Sequence, residues 1–212
     1  LWLRYATYIA EHGRLFDIDP MRNAPLGGDL SNIGTFISYF VAYLYKIFHF
    51  FNPGITIEFV DIVYPIIAMV IFSIFLFLLI RRLFDWRVGL LSVCLVNIIP
   101  SFLFRSMGGS SDHDILGIMF FIITLYLYVV AWQSKKGIHN VVFGVLSGLS
   151  TVLGYLTAGF TTFIFLILGS FLAIELFLEK FEKKDYYILT GWLGTVLLLL
   201  TVLLQRVSLP TF

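Results

Sequence analysis

The chain has 212 residues, of which 59% are hydrophobic and only 13% charged, with a mean hydropathy of +0.95. A soluble domain carries about 25% charged residues, so this is read as an integral membrane protein whose larger part spans the bilayer. The net charge of +1 argues against nucleic acid or a strongly acidic partner, and the single cysteine, Cys94, leaves no disulfide framework and no cysteine-based zinc site.

In chain order, residues 1–13 read as an amphipathic helix closed by Gly13, a usual C-cap residue. Residues 16–29 are loop-like, rich in Pro, Gly and Asp. Asp17, Asp19, Arg22 and Asp29 cluster there, and turn chemistry is the favoured reading over a metal role. Residues 32–51 are apolar enough to suggest a span, yet carry Lys46, His49 and many tyrosines, and end at Asn52-Pro53-Gly54. Aromatic segments with a polar face also lie along the membrane surface, and composition leaves the two readings open. Six spans then follow at about 59–80, 87–104, 115–132, 141–156, 160–178 and 186–204, each near the roughly 20 residues a bilayer requires. The expected fold class is all-α and polytopic. No signal peptide or lipidation motif is visible, and the chain is read as a fragment of a longer protein.

Basic residues orient these spans. Arg81, Arg82 and Arg87, then Lys135 and Lys136, then Lys180, Lys183 and Lys184 occupy alternate connections. Cytoplasmic loops collect Lys and Arg, so that face is expected inside. The connection between the second and third spans, the turn at 154–159 and the tail at 205–212 are then expected outside.

The second-to-third connection holds the candidate chemistry: Arg105-Ser106-Met107-Gly108-Gly109-Ser110-Ser111-Asp112-His113-Asp114. Two carboxylates at i and i+2 in a Gly/Ser loop can face one cation, and Mg²⁺ or Mn²⁺ prefers such oxygen ligands while keeping positions for water and phosphate. The competing reading is helix capping, since Ser110, Ser111 and Asp112 all suit the N-terminus of the helix that begins near Ile115. Arg105 is a candidate for ordering the carboxylates or holding a phosphate; the alternative is an Arg reaching for the interface. His113 is expected to point away from both Asp residues, as alternate residues do in an extended segment. Asp61, at the start of a span, is expected to pair or cap. No phosphate-binding glycine loop, zinc-protease or hydrolase motif is present.

The order of these features resembles the STT3 family, the catalytic subunit of oligosaccharyltransferase, including its archaeal form. The residues that carry the resemblance are Arg4-Tyr5, Glu11-His12-Gly13, Asp17-Ile18-Asp19-Pro20, Ala24-Pro25-Leu26-Gly27, Pro100 and the Arg105-to-Asp114 loop, which follows an R-S-x-x-G-S-x-D-x-D/E pattern. The likeness runs from Leu1 to about Trp132 and is vaguer beyond, where the family's Trp-Gly-Gly-type turn stands as Gly154-Tyr155-Leu156. It implies a GT-C glycosyltransferase-type transmembrane bundle, with residues 1–58 forming part of a first external loop with interfacial helices and 59–212 the six spans. The implied activity is transfer of a glycan from a dolichyl phosphate or pyrophosphate carrier, a lipid-linked oligosaccharide, to Asn of Asn-x-Ser/Thr in an acceptor polypeptide. The implied site is Asp112 and Asp114 on Mn²⁺ or Mg²⁺, supported by Arg105, in an archaeal cell membrane or, alternatively, the endoplasmic reticulum. The family's first-loop Asp, its later Glu and its sequon-reading domain fall outside these residues, so the fragment alone is expected to be inactive. Two rival readings are another polyprenyl-phosphate-dependent GT-C glycosyltransferase, and a transporter fragment whose acidic loop binds a cation.

Overall fold

A computed structural model of the protein describes residues 1–30 and 35–206. Residues 32–34 of the aromatic segment and 207–212 of the tail expected outside lie beyond the described residues. The order is α1 (Trp2–His12), a two-residue hairpin β1 (Ile18–Asp19) and β2 (Gly28–Asp29), α2 (Phe36–Phe51), α3 (Ile57–Leu83), α4 (Trp86–Ile98), α5 (Pro100–Ser106), α6 (Asp114–Gln133), α7 (Gly137–Thr157), a 3-10 turn at Gly159–Thr162, α8 (Phe163–Phe177) and α9 (Lys183–Arg206). Among the described residues five helices are long and apolar enough to cross a membrane: α3, α6, α7, the 3-10 turn with α8, and α9.

A sixth crossing is made if α4 and α5 count as one, although they meet at 75°. The break has a local cause. Pro100 stands at the first position of α5, and Ile99 before it is extended, with φ −64° and ψ 121°. A residue preceding proline is pushed out of the helical region by the proline ring. The apolar run expected as one span at 87–104 is therefore two helices.

α1 and α2 form a separate layer against the start of α3. Tyr5, Ala6 and Ile9 are buried on α1, and Ile37, Ser38, Val41 and Ala42 on α2. These spacings of three and four place each set on one helix face. α1 ends at Gly13, whose φ of 79° and N–H bond to the Ile9 carbonyl close the last turn. β1 and β2 pair antiparallel, Ile18 opposite Asp29 and Asp19 opposite Gly28.

The interior has two apolar cores. One gathers Ile9, Ile37, Val41, Val60, Tyr64, Phe72, Ile115 and Leu116 from α1, α2, α3 and the start of α6. The other gathers Tyr128, Ala131, Val152, Ile164, Leu168, Ile188 and Trp192 from the end of α6 through α9. Among the described residues only α6 contributes buried side chains to both. The second core depends on close backbone approach: a Cβ at Gly148 on α7 would sit 2.6 Å from the Trp192 carbonyl oxygen on α9. Close to the first core, a Cβ at Gly117 on α6 would sit 2.7 Å from that of Ala158, at the corner after α7.

The basic turns meet at one end of the bundle. Arg82, near the end of α3, bonds Gln133 at the end of α6 at 3.4 Å, and the Lys184 ammonium of α9 lies 5.6 Å above the Trp132 ring. The acidic loop precedes the opposite end of α6, some 30 Å away along its 20 residues.

Candidate functional site

α5 and α6 each contribute to the acidic loop. Arg105 sits in the last turn of α5, Asp114 is the first residue of α6, and residues 107–113 bridge the two. One Arg105 Nη1 hydrogen-bonds both Asp112 Oδ2, at 3.0 Å, and Asp114 Oδ2. Arg105 is 57% exposed, whereas the two carboxylates are about 27% and 28% exposed, so the guanidinium closes the site from the solvent side. The structure thus brings together the three residues singled out in the sequence.

Asp114 lies in the first turn of α6, where a carboxylate suits the helix dipole, but no aspartate serves as the side-chain cap. The N-cap of α6 is His113, and no side chain caps the helix. Ser111 is turned elsewhere, donating to Asp61 Oδ1 on α3 at 3.0 Å.

The expectation for His113 is corrected. Its backbone is helical, φ −76° and ψ −15°, not extended, so the strict alternation of an extended segment does not apply. His113 Nδ1 lies 3.0 Å from Asp112 Oδ1, and Nε2 lies 3.5 Å from Asp114 Oδ1. Nδ1 is buried and makes no hydrogen bond. The imidazole rests edge-on against Trp2 of α1, ring centroids 5.8 Å apart, which ties the N-terminal layer to the loop.

One ligand atom each from Asp112, His113 and Asp114 fall within 4.8 Å of one another. Two carboxylate oxygens and an imidazole nitrogen without a hydrogen bond form a donor set that suits a divalent cation such as Mn²⁺, Mg²⁺ or Zn²⁺. The residues present therefore fit a metal.

α3 lies beneath the loop. Tyr64 donates its hydroxyl to the Asp112 carbonyl at 2.9 Å, and the Gly109 N–H reaches the Ile62 carbonyl at 3.2 Å. Pro65 follows directly; without an N–H it leaves the Asp61 carbonyl, four residues back, unbonded within the helix. Neither Tyr64 nor Trp2 is marked as a site residue by the sequence. The one available signal was Asp61, a lone carboxylate in an apolar run.

The turn reading of the first-segment cluster holds at Asp19, which accepts the Met21 N–H two residues on, and the structure adds a second role to it. Asp19 is fully buried and accepts hydrogen bonds from Arg4, from the Tyr5 hydroxyl at 2.7 Å and from the Met21 N–H at 3.0 Å. Burial raises the Asp19 pKa, but the Tyr5, Met21 and Arg4 donors outweigh it and hold the carboxyl below its ordinary range. Burial, then the Asp19 hydrogen bond, pushes the Tyr5 hydroxyl up. Asp19 thus latches the hairpin to α1, and is not among the residues whose ligand atoms converge at the acidic loop.

With this geometry in view, residues 2–210 match the family model described as oligosaccharyl transferase STT3, N-terminal. No curated protein matches significantly. Three solved structures, all of the Archaeoglobus fulgidus oligosaccharyltransferase, share the fold over 95% of this chain. The complex with zinc and sulfate aligns at TM-score 0.80 and 23% identity, over 27% of that protein. The form tethered by a disulfide to an acceptor peptide containing the NVT sequon aligns at 0.75 and 23%, over 25% of that protein. AglB with an inhibitory peptide and a dolichol-phosphate aligns at 0.74 and 22%, over 24% of that protein. The chain spans about a quarter of the length of these relatives.

Proposed function

Because the chain belongs to the STT3 family of oligosaccharyltransferases, we propose that it forms the membrane part of an enzyme that glycosylates asparagine in Asn-x-Ser/Thr. The donor is an oligosaccharide on a dolichyl phosphate or pyrophosphate, and the acceptor is a polypeptide. The observation that carries the reading is the convergence of Asp112, His113 and Asp114 beneath Arg105. Archaeal relatives of this fold are described with zinc and sulfate, with a sequon peptide and with dolichol-phosphate, which supports the same classes of ligand here.

Asp112 and Asp114 would hold the metal, Mn²⁺ or Mg²⁺, and His113 Nδ1 would be a further donor. When bound, the cation supplies positive charge that polarises the acceptor amide and offsets charge on the departing phosphate. Arg105 is exposed and needs only to release the carboxylates to reach an anionic phosphate, where its planar donors pair bidentately. Residues 1–58 form part of the external loop, α2 lies along the membrane surface, and six spans, α4 and α5 together making one, cross the membrane. The clustered basic turns mark the cytoplasmic end, so the acidic loop faces outward. The membrane is that of an archaeal cell.

In the full-length enzyme, Asp112→Ala and Asp114→Ala are each expected to abolish glycan transfer to a sequon peptide while membrane insertion is unchanged. Normal transfer by both variants overturns the assignment.

A further inference from the structure

Resting on the metal site just described, we propose that Asp61 is a positioning residue for it, acting through Ser111. Asp61 is 7% exposed, near the start of an apolar helix of 27 residues. A carboxylate there is costly unless it is hydrogen-bonded, and its partner comes from the acidic loop: the Ser111 hydroxyl at 3.0 Å, fifty residues away in sequence and directly before Asp112. Two residues just after it on α3 hold the same loop. The Ile62 carbonyl accepts the Gly109 N–H at 3.2 Å, and the Tyr64 hydroxyl donates to the Asp112 carbonyl at 2.9 Å. Three successive sites on one rigid helix therefore fix three points of a seven-residue loop that has no regular structure of its own.

Of these contacts, the one to Asp61 acts on Ser111, the peptide neighbour of the candidate ligand Asp112. Asp61 is not placed among the donor atoms that converge for the metal. Its effect is to narrow the range of Asp112 positions before the cation arrives, as outer partners of metal ligands generally do.

The test uses full-length enzyme and Mn²⁺ as probe, with binding read by electron paramagnetic resonance and turnover by sequon-peptide glycosylation. Ser111→Ala and Asp61→Ala are each expected to weaken Mn²⁺ binding about tenfold, the lower end of the range for outer-shell partners. The double variant should be no weaker than the worse single one, since one contact is removed either way. Asp61→Asn, which still offers an acceptor oxygen, should recover most of the affinity. Saturating Mn²⁺ should restore turnover in all of them with the peptide KM unchanged. Wild-type Mn²⁺ affinity in Ser111→Ala, additive losses in the double variant, or no recovery by Asp61→Asn each overturns the role of Asp61 while leaving the metal site standing. Absence of Mn²⁺ binding by the wild-type enzyme overturns the metal site and this inference with it. If Asp61→Ala does not fold, Ser111→Ala, the loss of one hydroxyl from the loop, still decides.

Discussion

The two cores are held together by different means. Around the first, long-range polar contacts pin one segment to another: Arg4 and Tyr5 to Asp19, Ser38 to the Trp2 carbonyl, Ser111 to Asp61 and Tyr64 to the Asp112 carbonyl. Around the second, helices touch backbone to backbone, as at Gly148 against Trp192, and the long-range polar contacts run from helix to helix, as from Trp192 to Thr151, Trp132 to Glu175 and Ser147 to the Thr124 carbonyl. Directional bonds specify where a loop sits, whereas close packing specifies how firmly a scaffold stands. The region with the candidate chemistry is the one where such bonds hold irregular segments, the hairpin and the acidic loop.

That contrast can be broken at its strongest point first. Asp114→Ala should reduce transfer by more than about 100-fold, beyond the range seen when outer partners are lost, with thermal unfolding in detergent little changed. Gly148→Ala should do the reverse. Its methyl group meets the Trp192 carbonyl at 2.6 Å, so α7 and α9 must separate, at a cost of about 1–3 kcal/mol typical of overpacking. Lower thermal stability with unaltered Mn²⁺ affinity is the expected result, and loss of affinity in step with stability would erase the distinction between the two regions.

A smaller effect sharpens the picture within the first region. The Asp19 carboxyl has its pKa lowered by folding, so it contributes stability that is present above the unfolded value, about 4, and is lost as pH falls through the lower folded value. Hydrogen exchange of the α1 amides should therefore accelerate in acid. Asp19→Asn should make exchange faster at neutral pH and remove most of that acid dependence. The smallest expected change is at the basic end. Asp85 caps α4, accepting from the Arg87 and Val88 N–H groups at 2.7 and 2.9 Å, and Asp85→Ala should cost about 1 kcal/mol in unfolding measurements and leave transfer intact.

Much of the scaffold was legible because its signals are local. Long apolar runs mark α3, α6, α7, α8 and α9, and Gly13 marks the end of α1. The grouping of Arg105 with Asp112 and Asp114 was legible because all three lie within ten residues. What the sequence hid depends on distance or on a single backbone angle. Asp61 meets Ser111 across fifty residues, and Asp19 meets Tyr5 across fourteen; no periodicity announces either pair. His113 was expected to face away because alternation was assumed, and one helical φ/ψ pair reverses its direction. Pro100 falls inside the run expected as a span at 87–104, but the size of the bend it produces is a tertiary outcome.

Gly117 lies three residues into α6 after Asp114, on the side where the α7 corner presses closest. Asp112 is fastened to α3 through Tyr64, while Asp114 travels with α6. The two carboxylates are thus the jaws of a caliper whose arms belong to different helices, and the stop that sets the second arm is the single hydrogen atom of Gly117 resting on Ala158. A methyl group there would lever α6 away from the corner and change the bite of the jaws without touching either aspartate.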